Sequence, residues 1–269
     1  MRTIAEGIGF TEGPVWTRDG RLLVVSMSRG LVVELDLDDG VLGTIETGGG
    51  PNGLAEGPDG SIWVAQNGGG IRPSRSSRPV APGLQRLDGD TVTDIPIPGA
   101  IAPNDLVSGP DGRIWFTDPG LPGATAHGRV CALDPTTGAV ETVLADLDYP
   151  NGLAFVDDEL YVAHTNRGKI SRHRPGVGPS GPALTLSAGG PDGIAVGADG
   201  HLYIATPDAD AVAVFDAEEH RERHIRFDAP TFPTNLCFAG TQRRQLVVTA
   251  AKGGRVLSLD LEEVEAAAA

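Results

Sequence analysis

One kind of residue recurs in one kind of place along this chain. A carboxylate or carboxamide stands just ahead of an apolar, strand-like run: Glu12, Asn52, Asn104 with Asp105, Asn151, Asp192, and Thr234 with Asn235. Oxygen donors of this type, gathered at one point, suit a hard divalent cation. Calcium comes first, with magnesium or manganese as substitutes. The set contains no His or Cys, which argues against a usual zinc site without excluding zinc. Crowded carboxylates on a narrow axis would repel one another with no cation between them. Asn-Gly and Asp-Gly are also strong hairpin formers. Here, however, Asp59-Gly60, Asp111-Gly112 and Asp199-Gly200 already supply the turns, and Glu12 has no turn habit.

The elements that must position these side chains repeat with them. The copies start at positions 12, 52, 104, 151, 192 and 235, so they are 40, 52, 47, 41 and 43 residues apart. Each has two apolar runs around a Gly-containing turn, then a third run such as Gly128–Leu133, and in most copies a fourth, polar one. That period predicts an all-β fold, a six-bladed β-propeller with four-stranded blades. The sixth copy stops after its third strand. The N-terminal segment Arg2–Ile8 is expected to complete it and close the ring. A single domain over 1–265 and a short tail over 266–269 follow. In a propeller the innermost strands line a central channel, so the repeat starts should meet at one mouth. The second strands return to that mouth and bring a second ring: Met27, Gln66 with Asn67, Asp118, His164, Thr206 and Ala250.

Composition narrows the function classes. The chain has 269 residues and a formal net charge of -15. Such a charge argues against nucleic-acid and anionic-membrane partners. Glycine (38) and proline (21) are abundant but lack a three-residue period, as a chain of many turns requires. Cys131 and Cys237 sit in apolar runs and read as two small buried thiols, not a disulfide. No signal-like N-terminus and no membrane-length apolar stretch is present, which points to the cytoplasm. There is no Gly-x-Ser-x-Gly elbow and no phosphate-cradling loop with a following Lys.

Glu12-Gly13-Pro14-Val15-Trp16, Pro103-Asn104-Asp105, Pro150-Asn151-Gly152-Leu153, Pro191-Asp192-Gly193 and Pro233-Thr234-Asn235-Leu236-Cys237-Phe238, in this order and spacing, resemble the SMP-30/gluconolactonase/luciferin-regenerating-enzyme-like propellers. The resemblance implies a divalent-metal-dependent hydrolase. A lactonase opening a sugar or other small lactone with activated water fits best. It also implies Glu12, Asn151 and Asp192 as metal ligands, Asn104 as substrate contact or looser fourth ligand, and Asp192 as candidate base. The family's arginine two positions before the blade-three Asn is Ala102 here, which puts gluconolactone-type preference in doubt. Asn52 is more like the bacterial lactonases and related phosphotriesterase-type propellers. Asp105 and Asp118 are further candidate substrate contacts, and His164 or His127 could share the base role. Arg72, Arg75 and Arg78 lie in a loop between the second and third strands of blade two. That loop either is a solvated surface loop or overhangs the mouth as a lid for an anionic substrate. Family membership does not fix a reaction. Phosphotriester or ester hydrolysis, a lyase step, or a non-catalytic binding propeller with a structural cation remain alternatives.

Overall fold

The computed structural model describes residues 1–123, 128–216, 221–227 and 229–262. Six antiparallel sheets are arranged as a six-bladed propeller, almost entirely of strands. The innermost strands are Thr11–Trp16, Pro51–Glu56, Leu106–Ser108, Pro150–Val156, Ile194–Val196 and Pro233–Ala239. Blade four divides its outer strand into two short pieces, Gly178–Pro179 and Leu184–Thr185, both paired to Lys169–Arg174. Pro179 and Pro182 have no N–H to donate, so a continuous ladder cannot form there.

The ring closes as the missing sixth-copy strand requires. Arg2–Ala5 pairs antiparallel with Arg255–Asp260, a shorter strand than the expected Arg2–Ile8. The first and last segments of the chain thus share one sheet, and Thr234 Oγ1 donates to the Thr11 carbonyl at 2.8 Å across the same seam.

Why these runs are apolar on both faces follows from the wheel. Successive strand residues point to opposite faces, and each face of a blade meets a neighbouring blade. Leu22–Ser26, for example, is buried throughout. The core is accordingly divided into six clusters, one per seam. Tyr203 meets Phe238 edge-to-face at 5.0 Å between blades five and six, and Trp115 meets Phe155 at 5.3 Å between blades three and four. Both cysteines are free; Cys131 is buried and Cys237 only partly so. Among the described residues no helix is long and apolar enough to cross a membrane.

Removing residues 1–5 should open the seam that holds Ala5 and Ile8 and bare the edge of Arg255–Asp260. We expect the melting temperature to fall by roughly 5–15 °C, with new oligomers on size exclusion from the exposed edge. An unchanged melting curve would show that the strand does not close the ring.

Candidate metal centre and active site

Each repeat begins with a polar residue and continues with a small one for a geometric reason. A Cβ on Gly13 would lie 2.3 Å from the Asn52 carbonyl oxygen, and one on Gly152 would lie 2.3 Å from that of Asp192. Around the hub each blade start rests on the backbone of the next. Gly53 donates to the Asn104 carbonyl at 2.7 Å, Gly152 to Asp192 at 3.0 Å and Gly193 to Thr234 at 3.0 Å. Register irregularities follow Glu12, Pro51, Pro150 and Pro233 in their inner strands. Such bulges re-aim side chains. In the shorter inner strands of blades three and five, Asn104 and Asp192 are instead tied to the second strand. Their N–H groups donate to Thr117 at 2.9 Å and Ala205 at 2.8 Å.

Blades three and six depart from the glycine pattern, carrying Asp105 and Asn235 at that second position. Blades three and six are opposite spokes. Asn235 Nδ2 donates to Asp105 Oδ2 at 3.2 Å, spanning the channel. Each side chain also accepts from the next backbone N–H, Leu106 at 3.0 Å and Leu236 at 2.8 Å. Beyond this crossbar a cavity of about 500 Å³ is lined by Leu54, Leu106, Leu153, Ile194 and Leu236.

Glu12, Asn151 and Asp192 come together near the crossbar. Burial raises the Glu12 carboxyl well above its ordinary value, and the charges of Asp192 and Asp105 raise it further. Burial and Asp105 do the same to Asp192, opposed by a hydrogen bond from Asn151. Burial pushes Asp105 to about 7 against its hydrogen bonds from Asn235 and Leu106. Asn151 Nδ2 donates to Thr165 Oγ1 at 3.2 Å. Asn104 is buried. Asn52 is 2% exposed, and its Oδ1 has no partner among the described residues. A buried carbonyl oxygen without a donor, beside mutually repelling carboxylates, is a donor set that a hard cation would satisfy. No group of three His, Cys, Asp or Glu side chains is so placed among the described residues; the candidate set mixes carboxylates with amides.

Asp118 and His164 lie elsewhere. Asp118 accepts from the Ala102 N–H at 2.8 Å and the Ile101 N–H at 3.2 Å, and pairs with Arg129 at 3.0 Å. It holds the approach to Asn104. His164 Nε2 meets Ser171 Oγ at 2.7 Å, and burial and His173 lower its pKa. Two more of the second ring are similarly engaged: Gln66 binds Gly48, Gly50, Gly68 and Gln85, and Thr206 Oγ1 donates to the Ala211 carbonyl. His127 lies outside the described residues, as does the tail 266–269.

Tyr149 was not singled out by its sequence position. It stands beside the cup: burial, Asp192 and Glu12 push its phenol up to about 12. Its φ is 49°, a strained backbone for a bulky residue. Its only signal is its place before Pro150-Asn151.

A six-bladed wheel with an acidic and amide cup at its hub defines a class of propellers. Residues 10–252 match the SMP-30/Gluconolactonase/LRE-like region, and the chain belongs to that family. It is 29% identical over 247 residues to a gluconolactonase of Zymomonas mobilis, covering 77% of this chain and 67% of the relative. It is 32% identical over 166 residues to a pentonolactonase of Haloferax volcanii, covering 56% of this chain and 53% of that one. A gluconolactonase from Xanthomonas campestris has a related structure, with TM-score 0.78 and 25% identity over 96% of this chain and 88% of that one. Regucalcin from Agrobacterium tumefaciens, at 22% identity and TM-score 0.79, covering 96% and 92%, shares the fold.

Three carboxyls raised in the folded state give a definite pH dependence. Above the ordinary values of 4.5 for Glu12 and 3.8 for Asp105 and Asp192, the folded chain holds more protons than the unfolded one. Stability of the ion-free protein therefore falls as pH rises from about 4 through about 7. With chelator present, the melting temperature should drop between pH 5 and pH 8. Calcium should restore it more at pH 8, where the carboxylates are ionised. A flat profile, or equal rescue at both pH values, would contradict the electrostatic account.

Proposed function

We propose that this protein is a divalent-metal-dependent lactonase acting on a small lactone. The observation that carries the reading is the cup itself: burial raises the pKa of Glu12, Asp105 and Asp192, the charges of Asp192 and Asp105 raise Glu12 further, and Asp105 raises Asp192, with amide groups among them. The gluconolactonase and pentonolactonase relatives support the substrate class.

Glu12, Asn151 and Asp192 would hold the cation. Calcium is favoured by the all-oxygen donor set, with magnesium, manganese or zinc as alternatives. When bound, it would act as a Lewis acid on the lactone carbonyl. Asn151 beside Asp192 would favour its ionised form. Asp192 would take the proton of the attacking water. Asn104 would steady the charge developing on the carbonyl oxygen through its amide N–H. Asn52, with its unpartnered Oδ1, would add an oxygen to the cation's donor set.

A panel of aldonolactones and aryl esters, run with calcium, manganese, zinc or chelator, tests this. Lactone opening should vanish with chelator and return with metal. Asp192→Asn should lower kcat/KM by roughly a hundredfold or more, and Asn104→Ala should lower kcat by roughly tenfold to a hundredfold. Full turnover by metal-free Asp192→Asn protein would overturn the assignment.

A further inference from the structure

The same mouth holds a second pocket of about 390 Å³, lined by Phe10, Ser28, Arg29, Arg72 and Arg75 with glycine, alanine and proline between them. In a chain of net charge -15, this pocket has three guanidinium groups on its walls and no carboxylate.

The loop that brings Arg72 and Arg75 is fastened at several points. Arg75 N–H donates to the Ser28 carbonyl at 2.9 Å, and Gly49 N–H to the Arg78 carbonyl at 3.0 Å. Ser76 Oγ donates to Glu46 at 3.0 Å. Of its three arginines one is neutralised: Arg78 Nη2 contacts both Asp94 oxygens at 3.0 Å, and its Nη1 donates to the Thr47 carbonyl at 2.7 Å. Arg72 instead lies 4.0 Å over the Phe10 ring, a contact that orients a guanidinium without cancelling its charge. Among the described residues the Arg75 side chain has no carboxylate partner. The Arg29 side chain donates, among the described residues, only to the Gly7 carbonyl.

The pocket is linked to the cup along the chain through Phe10. Phe10 is two residues before Glu12, so their Cα atoms are at most about 7 Å apart. A small ring seated by Glu12 would reach the arginines with its far substituent. Guanidinium forks match the paired oxygens of a carboxylate or a phosphate. On an otherwise acidic surface, such a spot selects for the anionic end of a ligand.

We propose that Arg72 and Arg75, with Arg29, form a subsite for an anionic group, carboxylate or phosphate, at the end of the substrate remote from the ester. The preferred substrates are then acidic lactones. This assignment rests on the lactonase reading above.

The test compares three lactones of one ring type: glucono-1,5-lactone, glucaro-1,5-lactone with its terminal carboxylate, and 6-phosphoglucono-1,5-lactone. In the Arg72→Ala/Arg75→Ala double variant, KM for an acidic lactone should rise roughly tenfold or more relative to KM for the neutral one. Arg75→Glu should exceed Arg75→Ala, and the distant Arg86→Ala should leave the ratio unchanged. The acid that responds more strongly tells carboxylate from phosphate. Equal shifts for neutral and acidic lactones, or no shift, would overturn the subsite. Calorimetric titration with open-chain glucarate and with inorganic phosphate reads the pocket without turnover. Wild-type protein should bind at least one of them, with binding weakened roughly tenfold in the double variant. Equal binding by both proteins, or none by wild type, overturns the subsite. A wild-type protein that opens no lactone would instead defeat the lactonase reading, while the titration still decides the pocket.

Discussion

The architecture depends on how closely six blade starts pack around one axis. Gly193 shows the limit, since a Cβ there would lie 2.1 Å from Asn235 Oδ1. In four of the six blades the polar start is accordingly followed by glycine, while blades three and six place Asp105 and Asn235 there and link them across the axis. The polar–glycine pair at the head of the repeats is therefore a packing rule first. Chemistry follows because the rule places every leading polar residue at the same height, around the same axis. Hydrophobic seams between blades then hold that spacing from outside.

The wheel was legible because its punctuation is periodic. Glu12, Asn52, Asn104, Asn151, Asp192 and Asn235 head runs of similar length, and no other fold class uses that period with that turn chemistry. The converging carboxylates followed from the wheel alone. What lay beyond reading was the fate of each polar side chain once a neighbour reached it. Asp118 and Gln66 sit at the same mouth as Glu12 but bind loop backbone, and spacing along the chain does not disclose partners across a blade. Tyr149 was hidden for a different reason: a residue in the left-handed region has no composition signal unless it is glycine or asparagine. The arginine-rich loop was visible as charge, but only its contacts separate the neutralised Arg78 from Arg72 and Arg75.

The mouth is thus built in two layers with different work. Side chains at the heads of the inner strands include the buried carboxylates and the unpartnered Asn52 oxygen of the cup. Side chains at the ends of the second strands pin the connecting loops, as Thr206 does with Ala211. The separation is economical: a rigid outer layer lets the inner one tolerate mutual repulsion, because loops held by Gln66 and Asp118 cannot relax to relieve it.

The link between Asp105 and Asn235 bridges the channel between blades three and six. On the proposed reading, a ligand settled against Glu12 and Asp192 would enter and leave on the cup's side of that bridge. The cavity on the far side, lined by Leu54, Leu106, Leu153, Ile194 and Leu236 together with Asp105, Ser108, Asn235 and Arg243, would then be free to diverge independently of the cup.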